Sequence, residues 1–322
     1  MNGEDYSSNG LFFDNVVFRL VYSFHMPLFA VISGYLYFYS QKKYSFFKNC
    51  CNKAQQLIIP LFSLFVFYTF AELFFAKADI NFLLLKNTAI HAIGSLWFLY
   101  SIFGGFLFTS ILAKRNILYQ EIILMCLIVI ILFCMRLPFL HNVVCFIVFF
   151  YMIGYEIAKH IDGLSHIEKR FRPYLFSLSV GGGLFLMFAP DRYHLYTNMN
   201  IISDYREFIA GFPVRILLSS MSVYLVFRVF DYLILHFKGA YAVKPVVETL
   251  VLNSYFSLGL YFFQCFLLSI CLDYLKLTED VTAFSWLGTF VYFLVIYGAS
   301  FLLCLVCNRI CILRRLIMGI LK

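Results

Sequence analysis

A histidine stands near the start of an apolar run in Ser23-Phe24-His25-Met26-Pro27-Leu28-Phe29-Ala30-Val31-Ile32-Ser33-Gly34-Tyr35. An imidazole that titrates near neutrality can take a proton from a sugar hydroxyl as that oxygen attacks a thioester carbonyl. It can equally be a hydrogen-bonded side chain at a helix end, and the chemistry taken alone favours that role. Helical periodicity puts Phe29 and Ile32 on the stripe of His25, with Ser33 about 80° round and about 12 Å deeper. Arg215, in Gly211-Phe212-Pro213-Val214-Arg215, is the second residue of chemical interest. Its permanent charge inside an apolar run must meet a carboxylate, carbonyls, water or a ligand phosphate, or else snorkel to the headgroups. Ser95, Trp97, Tyr100 and Ser101 mark one further apolar run, and Asn253, Ser254, Ser257 and Gln264 another. For these the competing role is hydrogen bonding between helices.

Metal chemistry has little support in these patterns. Cys304, Cys307 and Cys311 have helical spacing but lack a fourth ligand, and Glu156 with His160, four residues apart, reads as a solvated pair rather than a ligand set. No metal and no bound cofactor are expected. Serine-hydrolase, zinc-protease and phosphate-loop signatures are absent. The glycine runs Gly104-Gly105 and Gly181-Gly182-Gly183 suit close helix packing.

The elements that must hold these residues are membrane helices. Apolar residues make up 62% of the 322 positions and charged ones 13%, with a mean hydropathy of +0.85, which excludes a soluble globular domain. Runs of roughly 17 to 25 apolar residues are the unit of such a fold. Nine are read, at 20–40, 55–76, 93–113, 119–135, 141–159, 173–190, 208–230, 249–273 and 283–308. Their loops alternate in charge, as the positive-inside rule requires. Lys42, Lys43, Lys48 and Lys53 fall on one side with Lys114 and Arg115, with Lys159, Lys169, Arg170 and Arg172, with Arg228, Lys238 and Lys244, and with the basic C-terminus. The opposite side holds only Arg19, Lys77, Lys86, Arg136, Arg192, Arg206 and Lys276.

The expected fold is therefore an all-α polytopic bundle of about nine spans, a single domain over 1–322, with the N-terminus outside and the C-terminus cytoplasmic. The formal charge of +8 is accounted for by these inner loops, so no nucleic-acid partner is expected; the bilayer is. Most of the ten cysteines lie in apolar runs and read as reduced core residues. Residues 1–10 are polar and acidic, unlike a cleavable signal. The outer loop at 190–208, with Tyr193, His194, Tyr196 and Asp204, suits either a sugar or interfacial anchoring.

Five segments, in order, resemble the acyltransferase-3 family, particularly its fucose 4-O-acetylase-like branch. They are Phe24-His25-Met26-Pro27-Leu28-Phe29 running into Ser33-Gly34-Tyr35; Ala54 to Pro60; Ser95-Leu96-Trp97-Phe98-Leu99-Tyr100; Phe149 to Tyr155; and Asn253 to Gln264. The resemblance implies a ten-helix integral-membrane enzyme that moves an acyl group, usually acetyl from acetyl-CoA as donor substrate, to a hydroxyl of a cell-surface or capsular polysaccharide. It implies residence in the cytoplasmic membrane of a bacterium, with acyl-CoA and an envelope glycan as partners. It makes His25 the candidate catalytic residue, and Ser33, Trp97, Tyr100, Arg215, Asn253 and Gln264 the candidate binding or supporting residues. The family's first helix, with its own basic residue and histidine, has no counterpart before His25, so the chain reads as shortened at its start. Two rival functions remain: a transport or assembly protein of glycan export, and a non-catalytic homologue of the acyltransferases.

Overall fold

The computed structural model describes residues 16–77, 79–114, 118–134, 142–189, 193, 205–237, 243–271 and 286–319. Regular structure among them is entirely helical, as the apolar runs require, because in hydrocarbon each backbone N–H and C=O must be satisfied within its own segment. The helices are α1 (Val16–Lys43), α2 (Phe46–Phe75), α3 (Phe82–Ser95), α4 (Trp97–Leu112), α5 (Leu118–Cys134), α6 (Asn142–Lys159), α7 (Ile161–Phe188), α8 (Tyr205–Phe237), α9 (Val243–Ser269), α10 (Trp286–Arg309) and α11 (Cys311–Met318).

Eight of the nine expected spans each overlap one helix, and the ninth, 93–113, overlaps the end of α3 and the whole of α4. Among the described residues, four stretches are long and apolar enough to cross a membrane, Arg19–Lys43, Phe46–Phe75, Ile161–Phe188 and Gly211–Leu233. Together α3 and α4 make a fifth, bent by 68° at the break between them. That bend corrects the sequence reading, which ran one unbroken helix over 93–113. Leu96 stands outside both helices, and α3 begins earlier than expected, where the Asn81 side chain accepts the Leu84 N–H at 2.8 Å and caps it. A second addition is α11, a short basic helix that ends on Gly319 in the left-handed conformation, φ 63°. A Cβ there would meet the Gln56 carbonyl, so glycine serves both the turn and the close approach.

The chain divides into two compact units interleaved in sequence. The first comprises 1–49 and 101–238, the second 50–100 and 239–322. In the first, α1 is the hub: it packs most extensively on α6 and also on α7 and α8, while α5 lies on α6. Gly34 of α1 and Gly154 of α6 explain the intimacy of the main pair. A Cβ on Gly34 would fall on the Tyr151 carbonyl, and one on Gly154 on the Val31 carbonyl. Hence the backbones touch where both residues lack a side chain. Around this contact Tyr37 meets Phe106 edge-on at 4.9 Å, and Gln41 donates to the Tyr155 hydroxyl at 2.8 Å.

The second unit has its own core of Leu64, Tyr68, Leu96, Phe256, Phe262 and Met318, with Cys304 and Cys307 buried among them as free thiols. Ser63 ties α2 to the end of α11 by donating to the Leu316 carbonyl at 2.8 Å. Large apolar side chains such as Phe62, Phe70, Phe74, Phe82 and Phe188 stay more than 60% exposed, the surface expected of helices solvated by lipid.

Candidate functional site

The polar residues singled out in the sequence divide between the two units. In the first, α1 carries His25 and Ser33, both half-buried, and α8 carries Arg215. The His25 ring packs edge-on against Tyr22 at 4.6 Å, and its Nδ1 lies 3.1 Å from the Val21 carbonyl one turn back. A carbonyl can only accept, so Nδ1 carries a proton, and in the neutral ring Nε2 then keeps its lone pair. Six residues before His25, the Arg19 guanidinium donates to the carbonyl of Ala189, which follows α7, at 3.0 Å. Because α1 is continuous, Ser33 lies about 12 Å along the axis from His25, too far for both to touch one reacting atom.

Arg215 is among the largest side chains buried completely, at 0% exposure, two residues after Pro213. Snorkelling to the headgroups is thereby excluded. The guanidinium is held inside the protein, where α8 packs on α1 and α7 and Phe212 stacks on Phe146 at 5.0 Å.

The second unit builds its polar centre on the helix break. A bend leaves carbonyls without their intrahelical partners, and here the Tyr261 hydroxyl reaches the Ser95 carbonyl at 2.8 Å, with the Cys265 thiol on the same oxygen at 3.5 Å. The Tyr68 hydroxyl meets the Ser95 hydroxyl at 3.0 Å and the Cys265 carbonyl at 3.4 Å. Its ring lies flat on His91, 4.4 Å between centroids and 6° from parallel. Trp97 and Tyr100, both half-buried, open α4 immediately after the break, and Gln264 lies on α9 between Tyr261 and Cys265.

Asn253 stands apart. It is about 16 Å along α9 from Gln264, and its side-chain oxygen accepts from the Tyr297 hydroxyl of α10 at 2.6 Å. That is the interhelical bond weighed for it in the sequence. The residues missed there are Tyr68, His91, Tyr261 and Cys265. Each is an ordinary member of an apolar run, and the sequence offered one signal only, a histidine one turn ahead of Ser95. Of the outer loop at 190–208, most lies outside the described residues; Tyr193 is described, its ring 5.6 Å from Phe185.

Glu156 and His160 do pair, at 3.5 Å, with the histidine side chain 37% exposed and the glutamate 13%, so the pair is only partly solvated. Glu121, at 0% exposure on α5, lies against both of them and forms an ion pair with Lys159.

A family model described as an acyltransferase domain, that of the acyltransferase-3 family, matches residues 2–309. Two curated relatives are similar in sequence. The nodulation protein NolL of Sinorhizobium fredii is 30% identical over 206 residues, 62% of this chain and 55% of that protein. The nodulation protein NolL of Mesorhizobium japonicum is 33% identical over 114 residues, 34% of this chain and 30% of that protein. The chain thus spans about half the length, or less, of the curated relatives it matches. No solved structure gives a significant match.

Proposed function

We propose that this chain, which belongs to the acyltransferase-3 family over nearly its whole length, moves an acetyl group from acetyl-CoA to a hydroxyl of a cell-surface or capsular polysaccharide. The observation that carries the reading is the His25 ring, held by the Val21 carbonyl with Nδ1 protonated and Nε2 free to accept a proton.

In this reaction the acceptor hydroxyl gives its proton to Nε2 as its oxygen bonds to the thioester carbonyl carbon. The resulting oxyanion collapses, the C–S bond breaks, and the CoA thiolate takes the proton back from the imidazolium. The loop charges support nine spans with the N-terminus outside, which sets His25 near the outer face, where a glycan arrives. Trp97, Tyr100 and Gln264, beside the helix break, supply aromatic and amide surface for a sugar or for the pantetheine arm. The membrane would be the cytoplasmic membrane of a bacterium.

Membranes containing the full chain, supplied with radiolabelled acetyl-CoA and envelope glycan, are expected to label the glycan. His25→Ala should lower that rate at least about a hundredfold, the usual contribution of a positioned base. Equal labelling by His25→Ala and the parent would remove His25 from the chemistry. A chain that moves glycan across vesicles without labelling it would be a transporter.

A further inference from the structure

Four polar atoms at the junction of α5, α6 and α7 are left unsatisfied. Glu121 Oε2, both oxygens of Glu156 and His160 Nε2 are each buried from solvent without a hydrogen-bond partner. Native interiors satisfy nearly all such atoms, so several in one place call for a water or an ion.

The spacing discriminates between the two. His160 Nε2 is 3.6 Å from Glu121 Oε2 and 3.5 Å from Glu156 Oε2. Those separations are long for hydrogen bonds. They match the edge of a tetrahedron whose centre lies about 2.1 Å from each corner, which is about 3.4 Å, the dimension of a zinc-type site with imidazole and carboxylate ligands. The donor atoms of Glu121, Glu156 and His160 all lie within 4.8 Å of one another.

Charge and support agree. Two carboxylates and a neutral imidazole carry two negative charges, of which Lys159 offsets one, and the negative charge that remains favours a cation. Lys159 occupies the other oxygen of Glu121, Oε1, and so holds that carboxylate with Oε2 turned to the cluster. His160 links α6 to α7 and makes no side-chain cap bond to α7, leaving the ring available. Glu121 is fully buried while the His160 side chain is 37% exposed, so water can reach the open fourth position from the His160 edge.

We propose that Glu121, Glu156 and His160 bind a divalent transition-metal ion of the zinc class, which clamps α5 to α6 at the start of α7. With three protein ligands the site leaves its fourth position to water, and it stands whether or not the chain transfers acetyl groups.

Cobalt(II) as the probe decides it. The full chain, purified in detergent without a histidine tag and stripped with chelator, is expected to bind one cobalt per chain with visible ligand-field absorption and no thiolate charge-transfer band. Zinc is expected to displace the cobalt and to raise the thermal midpoint. Glu121→Gln should abolish the absorption; should that variant fail to fold, His160→Ala, at the half-exposed edge, should weaken binding at least tenfold while eluting as the parent does. Substoichiometric binding, a thiolate band, or cobalt binding unchanged in His160→Ala would overturn the site and leave an ion-pair cluster closed by a protonated histidine.

Discussion

His25 shows how a single hydrogen bond turns a sequence letter into a chemical species. Its neighbours in the chain leave the tautomer open; the Val21 carbonyl 3.1 Å away closes the question in favour of protonated Nδ1. If Nε2 is the atom that works, His25→Gln should be as inactive as His25→Ala in acetyl transfer while matching the parent in thermal stability. A stability loss in both variants with activity intact would show a packing residue instead. Arg215 makes the opposite point. Apolar flanks allowed it two fates, and only burial to 0% exposure selects one. Tyr261 belongs to this scale too, since its hydroxyl satisfies one carbonyl freed at the break. Tyr261→Phe is expected to cost about 0.5–2 kcal/mol in thermal or denaturant unfolding, in line with hydrogen bonds between membrane helices. Tyr232→Phe, whose side chain is 58% exposed, should cost far less.

At the scale of elements the decisive contact is glycine on backbone between α1 and α6, Gly34 on Tyr151 and Gly154 on Val31. Gly34 and Gly154 fall in two of the segments that carry the family resemblance, and the fold places each against the other helix's backbone. Any larger residue must push the helices apart, so Gly34→Leu and Gly154→Val should each lower the thermal midpoint sharply or prevent recovery of monodisperse protein. Gly94→Ala, with no atom within 4 Å of the new methyl, should match the parent or gain slightly from helix propensity. Equal tolerance at all three positions would refute the close approach. The break between α3 and α4 is the element least visible beforehand. The break follows Gly94-Ser95, a glycine–serine step of the kind at which helices kink, and Tyr261, Cys265 and Tyr68, from two other helices, take up the groups it exposes.

For the whole molecule, charge asymmetry makes a prediction independent of the site. If the loop charges set nine spans with an external start, a fluorescent protein fused after Lys322 should fluoresce in bacteria, and alkaline phosphatase inserted at Pro138 should be active. A dark C-terminal fusion combined with an inactive phosphatase insertion would reverse the orientation.

What the sequence alone determined was the class of molecule and the position of nearly every helix, because a bilayer imposes length and apolarity on each segment separately. It also placed His25, Ser33, Trp97, Tyr100, Arg215, Asn253 and Gln264 on their elements, since helical position follows from local periodicity. Partnership was decided only in three dimensions. Tyr68 with His91, Tyr261 with the Ser95 carbonyl, Gly34 with the Tyr151 backbone, Gly154 with the Val31 backbone, and Glu121 with His160 are pairs distant in sequence that no local pattern connects. Hydropathy is a property of one segment, whereas a hydrogen bond, a backbone contact or a ligand set belongs to two or more, and only packing brings those together.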